Sequence, residues 1–121
     1  MEKVFKFEEL EVYQKSLEFV NHAYGITKKL PKEERYGLSS QFQRAALSVS
    51  LNIAEGAGDT DTQFHRFPNI SKGSIRECVV CATISNRLGY ISKQQNLIMR
   101  QKLLEQIKMI SGLQKYLRSN D

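Results

Sequence analysis

The sequence predicts an all-α protein, an antiparallel up-down-up-down four-helix bundle. Apolar residues recur at spacings of three and four in four separate segments, which is typical of amphipathic helices. The connections between these segments are short and polar, so consecutive helices are expected to fold back beside each other. No segment alternates apolar and polar residues next to a hairpin turn, which argues against β and α/β folds.

The length of 121 residues and a hydrophobic content of 40% fit a single domain spanning residues 1–121. Residues 1–8 are expected to form an N-terminal arm and residues 119–121 a frayed tail. The chain has no apolar run of about 18 residues and no signal-peptide pattern at its start. We therefore expect a cytoplasmic protein with no membrane partner.

The first helix is expected to begin near Glu8 and Glu9, because carboxylates favour the positive end of a helix. Pro31 should end it, with Lys28 and Lys29 in the last turn. Its apolar stripe is predicted to comprise Leu10, Tyr13, Leu17, Val20, Tyr24 and Thr27, widened by Phe19, Ala23, Ile26 and Leu30.

The second helix lies within residues 36–58. Ser40 followed by Gln43 fits a capping box at its start, and Gly56 with Gly58 fits its end. The core-facing residues are predicted to be Phe42, Ala45, Ala46, Val49 and Ile53. At the edge of this stripe, a structural polar network is predicted for Arg44, Asn52 and Glu55.

The third helix is expected to begin near Thr60 or Asp61, since Thr60 with Gln63 fits a second capping box. Pro68 would either split off a short helix over residues 60–67 or kink one long helix. The core stripe is predicted to be Phe64, Phe67, Ser71, Ser74, Cys78, Cys81, Ser85 and Leu88. Further apolar residues lie on other faces, namely Ile70, Ile75, Val79, Val80, Ala82 and Ile84. This surplus suggests self-association.

Gly89 is expected to end the third helix, and Ser92 with Gln95 to open the fourth as a third capping box. The core-facing residues of the fourth helix are predicted to be Met99, Leu103, Ile107, Ile110, Leu113 and Leu117.

The charge of the chain is divided unevenly. Residues 1–61 carry eight Lys/Arg and ten Asp/Glu, net −2, whereas residues 62–121 carry ten and three, net +7. Within an arc of roughly 80° on the fourth helix, the sequence places Lys93, Arg100, Lys108, Lys115 and Arg118. With Arg76 and Arg87 of the third helix, these are the candidate nucleic-acid-binding residues. Leu97 and Leu104 share the arc, so part of it could meet another subunit, and a merely solvated face would also carry such cations.

The sequence offers little to support catalysis or metal binding. Cys78 and Cys81 have the spacing of half a zinc site, but a second Cys/His pair is missing and His22 and His65 are isolated. A thioredoxin-type motif would need a strand before the helix. We expect no cofactor and no metal, and we expect that the protein is not an enzyme. An unrecognised enzyme would have to use Asn52 and Glu55, with partners supplied by another helix.

The second helix also carries a family resemblance. The pieces that carry it most specifically are Arg44-Ala45-Ala46, Ser48-Val49 and Asn52-Ile53-Ala54-Glu55-Gly56. Weaker matches are residues 7–10, 12–15, 31–38 and 88–90, with Phe64, Phe67, Gly73, Ser74 and Glu77. Together they resemble the bacterial four-helix-bundle proteins encoded in intervening sequences of 23S rRNA genes, a group related to the accessory variability determinant of diversity-generating retroelements. Pro68 departs from the aliphatic residue usual there.

The resemblance implies a homopentameric ring associated with rRNA intervening sequences or with retroelement reverse transcriptases. From the residues and the resemblance together, we expect a non-enzymatic, basic homo-oligomer that binds RNA or DNA through backbone electrostatics. The alternative is a protein-interaction scaffold whose basic face binds an acidic protein, such as a reverse transcriptase.

Overall fold

The structure, a computed structural model, describes residues 5–56 and 61–119, without the side chains of residues 61–65 and 117–119. The four α-helices are α1 (Glu11–Thr27), α2 (Leu38–Gly56), α3 (Asp61–Arg87) and α4 (Lys93–Ser119). Short 3-10 helices cover Lys6–Glu9 and Lys32–Glu34, and the described part of the chain contains no strand. The predicted all-α class is confirmed.

The helices surround one core in chain order. α2 packs on α1 and α3, and α4 packs on α3 and α1, while the backbones of the diagonal pairs stay farther apart over the described residues. Contacts between α1 and α2 pair the end of one helix with the beginning of the other. The Nε2 of Gln43 donates to Thr27 Oγ1 at 2.8 Å, and the hydroxyls of Ser16 and Ser50 are 2.8 Å apart. These two helices are therefore antiparallel.

α3 is also antiparallel to α2 and to α4. The hydroxyls of Ser48 and Ser74 are 2.8 Å apart, whereas Gly56, at the end of α2, meets Phe67 near the start of α3. Between α3 and α4, Lys72 contacts Gln114, whereas Thr83 contacts Arg100. The contacts give the up-down-up-down order that the short connections predicted.

The core face of α1 differs from the predicted stripe. Val12, Ser16, Phe19, Ala23 and Ile26 are buried with Thr27 and Leu30, while Leu17 is exposed. Of the predicted residues, Phe19, Ala23, Ile26, Thr27 and Leu30 are buried, and Leu10, Tyr13 and Val20 pack half-buried against the core. The prediction was wrong at Leu17 and did not include Val12 or Ser16. That serine is buried because its hydroxyl bonds to Ser50 of α2. α1 also ends at Thr27, one turn before the predicted stop at Pro31.

All the core residues predicted for α2 are buried: Phe42, Ala45, Ala46, Val49 and Ile53. Its predicted start was wrong, since Ser40 lies inside a helix that begins at Leu38. The side-chain amide of Gln43 instead donates to Thr27 of α1. Gly56 lies within the helix, buried against Phe67, and Gly58 is outside the described residues.

α3 continues through Pro68 as one helix, so the split into two helices was wrong. Its predicted stripe is buried at Phe67, Ser71, Ser74, Cys78, Cys81 and Ser85. Leu88 is exposed, beyond the last helical residue Arg87, and Ile75 and Ala82 belong to the core instead of to the surplus apolar face. The predicted cap at Thr60 and the side chain of Phe64 lie outside the part of the chain that the structure describes.

The connection between α3 and α4 has the two helix-end motifs that the sequence predicted at Gly89 and Ser92. Gly89 has φ +80°, and the amides of Gly89 and Tyr90 donate to the carbonyls of Asn86 and Ser85 at 3.0 and 2.9 Å, as in a Schellman motif. In the capping box of α4, Gln95 N donates to Ser92 Oγ at 3.0 Å and Ser92 N donates to Gln95 Oε1 at 2.8 Å. Both predicted helix ends are confirmed.

The predicted core of α4 is buried at Met99, Leu103 and Ile110 and half-buried at Ile107 and Leu113, and Leu117 has no described side chain. The glutamine Gln106 is also buried, which the apolar pattern did not indicate.

The described part of the arm includes a 3-10 helix, in which the Phe7 ring packs edge-on against Tyr13 of α1 with ring centroids 5.0 Å apart. Residues 1–4 of the proposed arm and residues 120 and 121 of the proposed tail are outside the described residues. In the described part of the chain, no helix has the length and apolar character needed to cross a bilayer.

Candidate nucleic-acid interface

The cations predicted to line one face of α4 are exposed. Lys93, Arg100, Lys108 and Lys115 are all exposed. Lys108 and Lys115 lie on the side of α4 away from Met99 and Leu103, whereas Lys93 and Arg100 lie at its flank. Arg118 belongs to the same helical arc, but its side chain is outside the description. The described row follows α4 for about 33 Å, since 22 residues separate Lys93 from Lys115.

Packing joins this row to two arginines of α3. The Nη1 of Arg100 donates to Thr83 Oγ1 at 3.0 Å. Arg76 and Arg87 lie seven residues before and four residues after Thr83, so all three share a helical face. Both arginines are exposed. We call the combined set of Arg76, Arg87, Lys93, Arg100, Lys108 and Lys115 the basic surface.

Thr83 is the residue that the sequence analysis missed here. Its spacing from Arg76 and Arg87 was visible, but only the packing of α4 on α3 shows that it accepts a hydrogen bond from Arg100. The Thr83 hydroxyl also donates to Val79 O at 2.8 Å, which fixes its orientation. The guanidinium of Arg100 is thereby held between the two helices.

A second polar connection joins α3 and α4 farther along the surface. Lys72 Nζ donates to Gln114 Oε1 at 2.5 Å, and Gln114 Nε2 donates to Asn69 Oδ1 at 3.0 Å. These bonds fix α4 on the same side of α3 as the Arg100–Thr83 bond does. The basic surface is therefore built on two helices that are joined near both of its ends.

Few carboxylates lie near the basic surface among the described residues. Glu105 is the one acidic residue between Lys93 and Ser119. It pairs with Lys15 of α1 at 3.4 Å, and Lys15 also pairs with Glu18 at 3.8 Å. Glu77 of α3 lines a groove with the start of α2, and Arg76 of the basic surface lines the same groove.

The residues predicted to form a polar network do not all meet. Asn52 Nδ2 donates to Ser48 O at 2.7 Å and to Ser48 Oγ at 2.9 Å, and Ser48 continues to Ser74 of α3. Arg44 and Glu55 are exposed, and among the described residues no hydrogen bond or ion pair joins either to Asn52. Asn52 thus fixes the α2–α3 contact through two serines that the prediction did not include.

The two cysteines are buried within the bundle. Burial, reinforced by the other thiol and by Glu77, raises the pKa of Cys78 to about 12, and burial likewise raises the pKa of Cys81. Both thiols are therefore protonated at neutral pH and lack the thiolate that nucleophilic or metal chemistry uses. Within the described residues, no group of three or more His, Cys, Asp or Glu is placed to hold a metal ion.

The outer face of α3 also exposes an apolar set, which we call the α3 strip: Ile70, Val80, Ile84 and Leu88. Val80 and Ile84 line an open groove of about 550 Å³, together with Arg76 and Glu77 of α3 and with the start of α2. Of the surplus apolar residues expected on α3, Ile70, Val80 and Ile84 are exposed, and Leu88, which was predicted for the core, is exposed with them.

Comparison with solved structures finds the same architecture. One similar chain is the crystal structure of a protein of unknown function from the S23 ribosomal protein family of Bacteroides thetaiotaomicron. It has a TM-score of 0.78 and 25% sequence identity, and the match covers 86% of this chain and 95% of that one. Comparison with curated proteins gives no match. The model of the 23S rRNA-intervening sequence protein family matches residues 8–112, and this protein therefore belongs to that family.

Proposed function

We propose that this protein is a non-enzymatic, cytoplasmic homo-oligomer that binds RNA or DNA through the phosphate backbone. The observation that carries the proposal is the basic surface, where six exposed cations from two helices follow one side of the bundle. The acid of α4 that could neutralise it is paired with Lys15 instead. Such an array suits a row of phosphates spaced along a nucleic acid.

The chemistry of the basic surface favours positioning over sequence reading. Lys and Arg contacts to phosphates fix the register of a complex but carry no base information by themselves. The bond to Thr83 occupies only part of the Arg100 guanidinium, which leaves other N–H groups for a phosphate. We therefore expect affinity for many sequences.

The experiment is a titration of random-sequence RNA and DNA at about 50 and 200 mM salt, using a variant with Arg100→Gln, Lys108→Gln and Lys115→Gln. Affinity of the unmodified chain should fall steeply with salt, because bound phosphates release counterions. The variant should bind every sequence more weakly and lower the salt slope by about three. A control with Lys6→Gln, Lys29→Gln and Arg44→Gln has the same net charge and should bind like the unmodified chain.

No binding at low salt would refute the proposal. If the control variant weakened binding equally, binding would depend on net charge and not on the basic surface. An acidic protein partner would use the same cations. Binding to polyglutamate without binding to RNA or DNA would therefore favour the scaffold alternative.

The homo-oligomer part of the proposal is supported by the α3 strip and its groove. Val80 and Ile84 are exposed in the groove, Ile70 and Leu88 are exposed elsewhere on α3, and burying these side chains against a second copy would remove them from water. The number of copies expected is five, which is what the family resemblance implies.

A further inference from the structure

An open pocket lies at one end of the bundle, between the end of α1 and the start of α2. It has a volume of about 430 Å³, within the range of roughly 300–1,000 Å³ typical of small-molecule sites. Three cations line it, Lys28, Lys32 and Arg35, and no carboxylate does. Glu34 of the same connection instead accepts a hydrogen bond from the Tyr90 hydroxyl at 3.0 Å.

An aromatic ring stands beside these cations. Tyr36 lines the pocket and is 87% exposed, which is unusual for a side chain of its size. The guanidinium carbon of Arg35 lies over one face of the ring, 5.4 Å from its centroid. The rest of the ring is open to solvent, so it can act as a platform for a planar group.

The inner wall of the pocket supplies hydrogen-bonding groups. Ser39 lines it and is only 8% exposed, yet its hydroxyl makes no hydrogen bond to any described residue. The first backbone bond of α2 runs from Gln41 N to Gly37 O at 2.9 Å, so the preceding amides of the first turn have no acceptor within the helix. Gly37 has no side chain with which to cap them, and Glu34 Oε1 lies 3.5 Å from the position that a Cβ on Gly37 would take. The carboxylate of Glu34 therefore lies at this helix start, and the anion-binding groups that remain in the pocket are the three cations and the Ser39 hydroxyl.

We propose that this pocket binds a nucleotide, with its phosphate held by Lys28, Lys32 and Arg35 and its base stacked on Tyr36. The three cations supply the charge complement of a phosphate, and the hydroxyl of Ser39 supplies a further donor. The exposed ring explains why a nucleotide fits better than inorganic phosphate alone. The pocket shares no residue with the basic surface, so the two proposals can fail separately.

The experiment measures the affinity of the full chain for AMP, adenosine and inorganic phosphate by NMR titration at low salt. AMP should bind at least about tenfold more tightly than phosphate, the contribution expected of one stacked base. Tyr36→Leu should reduce AMP affinity to the level of phosphate, and Lys32→Gln should weaken both. Tyr116→Leu and Lys29→Gln alter an exposed tyrosine and an exposed lysine outside the pocket and should leave both affinities unchanged.

Equal affinity for AMP and phosphate, with no effect of Tyr36→Leu, would overturn the proposal, as would the absence of saturable binding. The source of the nucleotide is tested with an octamer of adenylate, using the chain that carries the three α4 substitutions to glutamine. Octamer affinity that far exceeds AMP affinity and depends on Tyr36 assigns the pocket to single strands. Comparable affinities assign it to free nucleotides, and both results support the proposal.

Discussion

Gly56 and Phe67 touch across the α2–α3 contact so closely that a Cβ on residue 56 would overlap the Phe67 ring. Gly56→Ala should therefore destabilise the fold by about 1–3 kcal/mol, the usual cost of overpacking a filled core. Chemical denaturation measures this change. Gly25→Ala is the matched control, because a Cβ at that exposed helical position meets nothing within 4 Å. It should stabilise the chain by about 0.5–1 kcal/mol, and a similar gain at Gly56 would contradict the close contact.

The capping box of α4 gives a second prediction. Ser92→Ala removes the acceptor for the Gln95 amide and should cost about 1 kcal/mol in the free energy of unfolding. Ser40→Ala is the control, since Ser40 sits within α2 and its hydroxyl bonds to no described residue. Equal losses from the two substitutions would show that the cap at Ser92 contributes nothing of its own.

The buried thiols make stability depend on alkaline pH. An unfolded thiol ionises near 9.0, whereas burial holds the pKa of Cys78 at about 12 in the folded chain. Between these values the unfolded state releases a proton that the folded state retains, so stability present below pH 9 is lost as pH rises. Urea denaturation from pH 8 to 11 should show this decline. The decline should be shallower in a Cys78→Ala/Cys81→Ala variant, and an identical slope would rule the thiols out as its cause.

Gln106 should be replaceable with a gain in stability. It is 2% exposed at the α1–α4 contact, and its Oε1 has no hydrogen-bond partner among the residues that the structure describes. Gln106→Met keeps the length of the side chain and removes the unsatisfied acceptor, whose burial costs about 1–3 kcal/mol. Thermal denaturation should therefore show a higher midpoint. The exposed neighbour Gln101, replaced by Met, should leave the midpoint unchanged, and a lower midpoint for Gln106→Met would imply a partner for that amide.

Self-association should depend on the α3 strip. Val80 is 55% exposed and lines the groove with Arg76 and the start of α2. Val80→Lys would therefore place a second cation beside Arg76 in the proposed contact, where burying it is costly. Light scattering should give about 70 kDa for five copies of the 13.9 kDa chain and a lower mass for the variant. Leu51→Lys changes an equally exposed leucine on α2 and should retain the assembly. A monomer mass for the unmodified chain at micromolar concentration would refute the proposal.

Periodicity predicted most of the fold because it reports which side chains leave water. It located the small-residue seam of α3, and local chemistry located the turn at Gly89. It failed at Ser16 and Gln106, since their burial depends on a neighbouring helix and not on their own hydrophobicity. The predicted helix start at Ser40 was wrong for a similar reason, because Gln43 bonds to a neighbouring helix. The motif Ser-x-x-Gln occurs at Ser40 and Ser92 alike, but only at Ser92 does the glutamine turn back to its own helix.

The candidate sites were also predicted only in part from the sequence, because some of their residues meet only when the helices pack. Spacing alone placed the cations of α4 on one face, but the continuation onto α3 depends on the bond between Arg100 and Thr83. Asn52 was visible as a polar residue at a core edge, while its partner Ser48 and the link to Ser74 required the packed helices. The pocket beside Tyr36 combines residues from two helices and their connection, and no single periodic pattern contains them.

The buried pair of Ser16 and Ser50 constrains how this sequence can change. The Ser16 hydroxyl contacts both Ser50 Oγ at 2.8 Å and Tyr13 O at 2.6 Å, so it keeps a partner when Ser50 is lost. Loss of Ser16 instead removes the side-chain partner of the buried Ser50 hydroxyl and carries the larger penalty. The effects of single and double replacement are therefore not additive, and descendants of this chain should lose Ser50 before Ser16.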